Sequence, residues 1–199
     1  MRKLTYSLTI AVFLCRTVLG QSPQIGASQM SQEDLQKYVP ILPSVKARFW
    51  HVDPKLGYGV KNVGGGVYVI SDQGWQSAFL VTDEGVIVFD APESFGKGIP
   101  SAIKKVTDKP VRILVYSHAH KDHIGGAATF NDIKGLRIVA TEGVAELLKE
   151  QNDPNRLIPN EVFGAQKTIS LGGKTVELTR TFTIRQKVIY SFTFRKPSL

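Results

Sequence analysis

The stretch that most constrains this chain is Val115-Tyr116-Ser117-His118-Ala119-His120-Lys121-Asp122-His123-Ile124-Gly125-Gly126, which holds three of its four histidines and an aspartate among them. Residues 111–116, Val-Arg-Ile-Leu-Val-Tyr, read as a buried strand, and the paired glycines after the motif mark a tight passage into a helix. The motif is therefore a loop between two regular elements. His118 and His120 stand two apart, so an extended segment throws both imidazoles to the same side, while Asp122 and His123 come from the turn that follows. Imidazole nitrogen and carboxylate oxygen suit zinc and its first-row neighbours. One loop can thus offer ligands to two adjacent ions. With histidine at about one residue in fifty, this spacing arises by chance in such a chain with a probability of roughly one in ten thousand. The competing reading is a solvated histidine-rich loop.

Two further stretches, Gly65-Gly66-Val67-Tyr68-Val69-Ile70 and the run from Ser77-Ala78-Phe79-Leu80 to Val88-Phe89-Asp90-Ala91-Pro92, join the motif in a resemblance. Together with residues 117–126 they are similar to the opening strands and metal loop of the metallo-β-lactamase superfamily, over roughly residues 60–178. The resemblance implies an α/β fold, an αββα sandwich of two pseudo-equivalent halves with one or two zinc ions between the sheets. It also implies a metal-bound hydroxide that attacks an ester, amide, thioester, lactone or phosphoester of a small-molecule substrate, with Asp122 orienting that water. Asp90, at the end of an apolar strand, matches an aspartate that lies behind the metal loop in the family. The alternative for Asp90 is a helix cap.

Composition bounds the rest. The apolar and charged fractions, 42% and 21%, are those of an ordinary globular domain. Arg2 and Lys3, an apolar run over residues 4–15, Arg16 and the small-residue site Val18-Leu19-Gly20 have the layout of a secretory signal cleaved after Gly20. Export to the periplasm or the extracellular space follows. The alternative, a membrane anchor, needs roughly 20 apolar residues, and Arg16 interrupts the run well before that. Cys15 is the only cysteine, so the mature chain has neither a disulfide nor a thiolate ligand. Of the net charge of +8, three units sit in residues 1–20 and five lie from Lys174 onward, which leaves the middle near neutral and argues against a nucleic-acid partner.

In chain order, residues 1–20 read as signal and 21–44 as a polar segment with one short helix. The domain, with a possible strand at 45–52 and a Gly/Pro-rich loop over 53–66, fills 45–199. Strands are expected at 67–71, 77–82 and 86–90, a helix at 101–106, the strand before the motif, and a helix at 127–132. A strand at 136–140, a helix at 143–150 and a hairpin of 168–171 with 175–178 complete the pattern. Arg156, in the loop Asp153-Pro154-Asn155-Arg156, reads as a surface arginine or a group that meets a substrate carboxylate.

Beyond Leu178 the resemblance degrades. Residues 179–199 contain no histidine, aspartate, glutamate or cysteine, so the third ligand that a hydrolytic zinc normally takes from protein is not found there. His51 is the one other histidine, and it reads either as a replacement ligand or as an exposed loop residue. The fold is thus expected with its N-terminal half present and its C-terminal half incomplete after about residue 178. The tail alternates apolar and polar residues from Phe182 to Phe194 and is expected to add one or two strands to the remaining sheet. A second copy of the chain could cover the incomplete layer as a homodimer. Two functions stay open: a secreted zinc hydrolase, and a non-catalytic truncated homologue with a weak or empty metal site.

Overall fold

A computed structural model describes residues 51–181 and 189–195. The expected signal, the polar segment with its helix, positions 45–50 of the possible strand, and tail positions 182–188 and 196–199 lie outside the described residues. Among the described residues, ten strands form two sheets. The first has seven in chain order: β1 (Gly59–Gly64), β2 (Val67–Ser71), β3 (Gln76–Val81), β4 (Val86–Phe89), β5 (Val111–Val115), β6 (Arg137–Thr141) and β7 (Glu161–Phe163). β1 to β4 pair antiparallel through tight turns, and β4 to β7 pair parallel. Parallel pairing requires crossovers, which are supplied by α1 (Ile99–Val106), the single-turn α2 (Lys121–Ile124) and α3 (Glu142–Gln151). The second sheet is a three-stranded antiparallel layer of β8 (Gln166–Leu171), β9 (Lys174–Thr181) and β10 (Ile189–Arg195), in the order β10-β9-β8.

The period of two along the central strands sorts side chains into two cores. Val86, Val88, Leu114, Tyr116, Ile138 and Ala140 face one way, into a cluster with Ile99, Ile103, Val144 and Leu148 of the helices. Ile87, Phe89, Ile113, Val115 and Val139 face the other way, onto Ile169, Val176 and Leu178 of the second sheet. Each of these three buried side chains contributes roughly 1.5–3 kcal/mol of hydrophobic burial. The described layers are therefore helices, sheet, sheet, and no described helix follows Gln151. Cover for the first sheet comes from the chain's own β8–β9 hairpin. Its turn docks tightly: Gly172 carries its backbone oxygen to the Asp83 amide at 3.1 Å, and a Cβ at Gly172 would lie 2.4 Å from the Glu84 nitrogen.

Several expectations need correction. Residues 59–64 of the expected Gly/Pro loop are β1, an edge strand whose residues after Gly59 are exposed, so no alternation betrays it. Residues 127–130 form a 3-10 turn instead of a helix to 132. The three-residue β7 was not expected, and His51 and Val52 are outside any strand. Described tail residues Ile189–Arg195 pair with β9, at the edge of the second sheet rather than the first. The helix of 143–150 begins at Glu142, because the Thr141 hydroxyl accepts from the Val144 amide at 3.4 Å and caps it.

Glu161 ties the two sheets. It accepts from Arg137 Nε at 2.8 Å and Nη2 at 3.0 Å, and Lys167 Nζ of β8 stands 2.8 Å away. Arg137 first, then Lys167, hold its carboxyl down at about 2. A carboxyl depressed on folding stabilises fully above its unfolded value and loses that stability as pH falls through the folded one. Glu161→Gln is therefore expected to cost about 1–2 kcal/mol at neutral pH, discounted for the partly exposed partners, and to flatten the fall in stability between about pH 4.5 and 2. Urea titrations at pH 7 and pH 3 check this, and equal losses at both would contradict it.

Candidate metal centre

β5 ends at Val115, and Tyr116 and Ser117 carry the chain out of the sheet into the histidine loop. Asp90, just past β4 on the neighbouring strand, receives it. The Asp90 carboxylate accepts from the Ser117 amide at 2.7 Å and from the Ser117 hydroxyl, and Oδ2 lies 3.0 Å from His123 Nδ1. Asp90 is 6% exposed and has φ 63°, a left-handed conformation that aspartate tolerates better than most residues. The backbone carbonyl is also held, since Ser77 Oγ donates at 3.0 Å to both Phe89 O and Asp90 O. Asp90 therefore stands behind the loop, as the resemblance implied, and caps no helix.

Backbone bonds stitch residues 90–96 to the motif: Ala91 N to His123 O at 2.7 Å, Glu93 N to Lys121 O at 3.3 Å and Gly126 N to Ala91 O at 2.8 Å. The imidazoles gather as a result. Ring centroids of His118 and His123 are 4.0 Å apart, and those of His118 and His120 are 4.7 Å apart. His118, Asp122 and His123 are half-buried, while His120 is exposed. Burial, helped by the nearby His123, holds His118 below its ordinary pKa, so it is neutral and ready to ligate at physiological pH. His123 moves the other way, raised chiefly by its hydrogen bond to Asp90.

The donor set fits a first-row divalent ion. His123 commits Nδ1 to Asp90, and His118 Nδ1 lies 2.9 Å from Ser117 Oγ, so each ring has Nε2 left to face an ion. His123 Nε2 and Asp122 Oδ2 are 3.9 Å apart, near the ~3.4 Å that separates two ligand atoms in a tetrahedral zinc shell with bonds of ~2.0–2.1 Å. Convergence is partial, however. Among the described residues no group of three His, Cys, Asp or Glu side chains is arranged to hold one ion. His51 is exposed and joins no such group.

Ser117, unremarked in the sequence, completes the support. It is 8% exposed and hydrogen-bonded to Asp90, which makes it a strut of the loop and a poor nucleophile despite its histidine neighbours. Trp75 and His123 meet in a T-shaped contact with ring centroids 6.1 Å apart, Trp75 coming from a turn in which the Asp72 carboxylate accepts the Gly74 and Trp75 amides. Arg156 is 7% exposed and donates Nη1 to Ala119 O at 2.8 Å. This corrects the expectation of a surface or substrate-facing arginine: its guanidinium is consumed inside the protein.

The sequence profile of the Metallo-beta-lactamase superfamily matches residues 72–184, and the chain belongs to that superfamily. Metallo-beta-lactamase IND-1 of Chryseobacterium indologenes is 30% identical over 111 residues, which are 55% of this chain and 45% of that protein. The class B3 di-zinc metallo-beta-lactamase LRA-12 from an Alaskan soil metagenome superposes with a TM-score of 0.60 at 21% identity, over 70% of this chain and 58% of that one. Metallo-beta-lactamase GOB-18 of Elizabethkingia meningoseptica gives 0.60 at 20% identity, over 74% and 60%. The two structures establish the fold. The chain spans less than half the length of the curated relative named here.

Proposed function

We propose that this chain is a zinc-dependent hydrolase of its superfamily, acting on an ester, amide or lactone-type bond. One observation carries the reading: three imidazoles and the Asp122 carboxylate are gathered on one loop, and Ser117 and Asp90 engage Nδ1 of His118 and His123, which leaves Nε2 of those two rings for an ion. His118, His120, Asp122 and His123 would hold one or two zinc ions. Zinc, when bound, supplies Lewis acidity and an acidified water at neutral pH. Asp122, half-buried and with Oδ2 3.9 Å from His123 Nε2, would orient a water and hold its proton. Similarity to the beta-lactamases IND-1, LRA-12 and GOB-18 makes β-lactams the first substrates to try.

Zinc per folded chain, measured by elemental mass spectrometry after gel filtration, is expected at one or two. A His118→Ala, His120→Ala double variant is expected to bind less, and His120→Ala to reduce turnover of a chromogenic β-lactam or a lactone to background. A folded wild-type chain without zinc would sink the proposal. The partial convergence of ligands favours a second reading, a metal-binding homologue without turnover. Zinc uptake with no hydrolysis across β-lactam, lactone and thioester panels would select it.

A further inference from the structure

We propose that Arg156 is the positioning residue of the histidine loop, anchoring the backbone between His118 and His120 from a brace formed by residues 153–157; for its bearing on zinc the inference rests on the metal reading above. The observation is a buried cation in a segment that the sequence marks as a surface turn. Arg156 Nη1 donates to Ala119 O at 2.8 Å, across a sequence separation of 37 residues, while Nε donates to Asp153 Oδ2 at 3.0 Å. One planar group thus makes two differently directed bonds at once, a geometry that lysine cannot reproduce.

Three other contacts lay the same segment along the loop. Tyr116 Oη donates to Leu157 O at 3.0 Å, Ala128 N donates to Asn155 O at 3.1 Å, and Lys121 Nζ lies 3.4 Å from Asp153 Oδ2. The brace therefore meets the chain before, within and after the motif. Asp153 is itself oriented, accepting the Asn155 amide at 3.0 Å through Oδ1. A buried guanidinium beside a cation site would repel the ion if it were unpaired, and pairing with Asp153 offsets that charge. Ala119 stands between His118 and His120, so holding its carbonyl fixes the stretch of backbone from which both imidazoles project.

The test uses the full chain with Arg156→Met, which keeps length and apolar bulk, and Arg156→Lys, which keeps the charge but loses the planar fork. In zinc-free protein, Arg156→Met is expected to speed amide hydrogen exchange across 117–126 by about tenfold or more, with β4 and β5 still protected. Zinc affinity, by chelator competition, is expected to weaken by about 10–100-fold. Arg156→Lys is expected to fall between wild type and Arg156→Met in both readouts, and it carries the test should the methionine variant not fold. Exchange and affinity both within about twofold of wild type would overturn the proposal, as would faster exchange spread evenly over β4 and β5. A wild-type chain that takes up no zinc ends the metal reading alone, and the exchange experiment still decides the role of Arg156.

Discussion

Asp90→Ala is expected to cost about 3–5 kcal/mol of stability and to abolish ordered metal binding, the largest effect of any single change at the site. Three donors lose their acceptor together: the buried Ser117 amide, the Ser117 hydroxyl and His123 Nδ1. Each buried donor left unpaired costs about 1–3 kcal/mol. Alanine at φ 63° adds a backbone term of about 1 kcal/mol that aspartate largely avoids. Asp90→Asn separates these contributions, because asparagine tolerates the left-handed conformation and keeps one carbonyl acceptor while losing the charge. It is expected to fold with a loss of about 1–2 kcal/mol and to bind zinc about 10–100-fold more weakly, since His123 would lose the partner that fixes its ring. Urea midpoints and chelator competition measure the two effects. Wild-type midpoints for Asp90→Ala would mean that Asp90 does not carry the loop.

That much of the site could be read from sequence follows from its locality. His118, His120, Asp122 and His123 lie within six residues, and an aspartate ending an apolar strand must find donors nearby. The central strands were equally legible, because β4 and β5 are nearly continuous apolar runs bounded by turns. Edges were not. β1 is exposed along almost its whole length and, among the described strands, pairs with β2 alone, so its own residues read like a loop.

Arg156 was illegible for a different reason. A charged residue beside proline and asparagine reads as solvated, and what buries it is a carbonyl supplied by Ala119. No local pattern records a partner that far away. The second sheet was half legible: its hairpin turn at Gly172-Gly173 marks the strands, but their role as cover depends on Ile169, Val176 and Leu178 meeting the far face of β4 and β5. Periodicity shows that a face is apolar and is silent on what it meets.

The glycine pair after the motif marks a tight passage, and the structure supplies its cause. Gly125 and Gly126 have φ of −66° and −99°, which any residue adopts, so conformational freedom is not why glycine stands there. Space is the reason. A Cβ on Gly126 would lie 2.7 Å from Pro92 O, 2.8 Å from Gly96 Cα and 3.1 Å from Ala91 O, all backbone atoms of the segment stitched to the motif. Two opposing effects then decide Gly126→Ala: a smaller unfolded-state entropy, worth about 0.4–1 kcal/mol in its favour, and forced separation of two hydrogen-bonded backbones, costing about 1–3 kcal/mol. Sterics should win, with a net loss of about 1–2 kcal/mol and weaker zinc binding, because Ala91, which accepts from the Gly126 amide, donates its own amide to the His123 carbonyl. Gly143→Ala makes the same chemical change in the first turn of α3, where nothing lies within 4 Å, and is expected to stabilise by about 0.5 kcal/mol. Opposite signs in urea denaturation would establish that contact, not backbone freedom, selects glycine behind the histidine loop; equal signs would reject it.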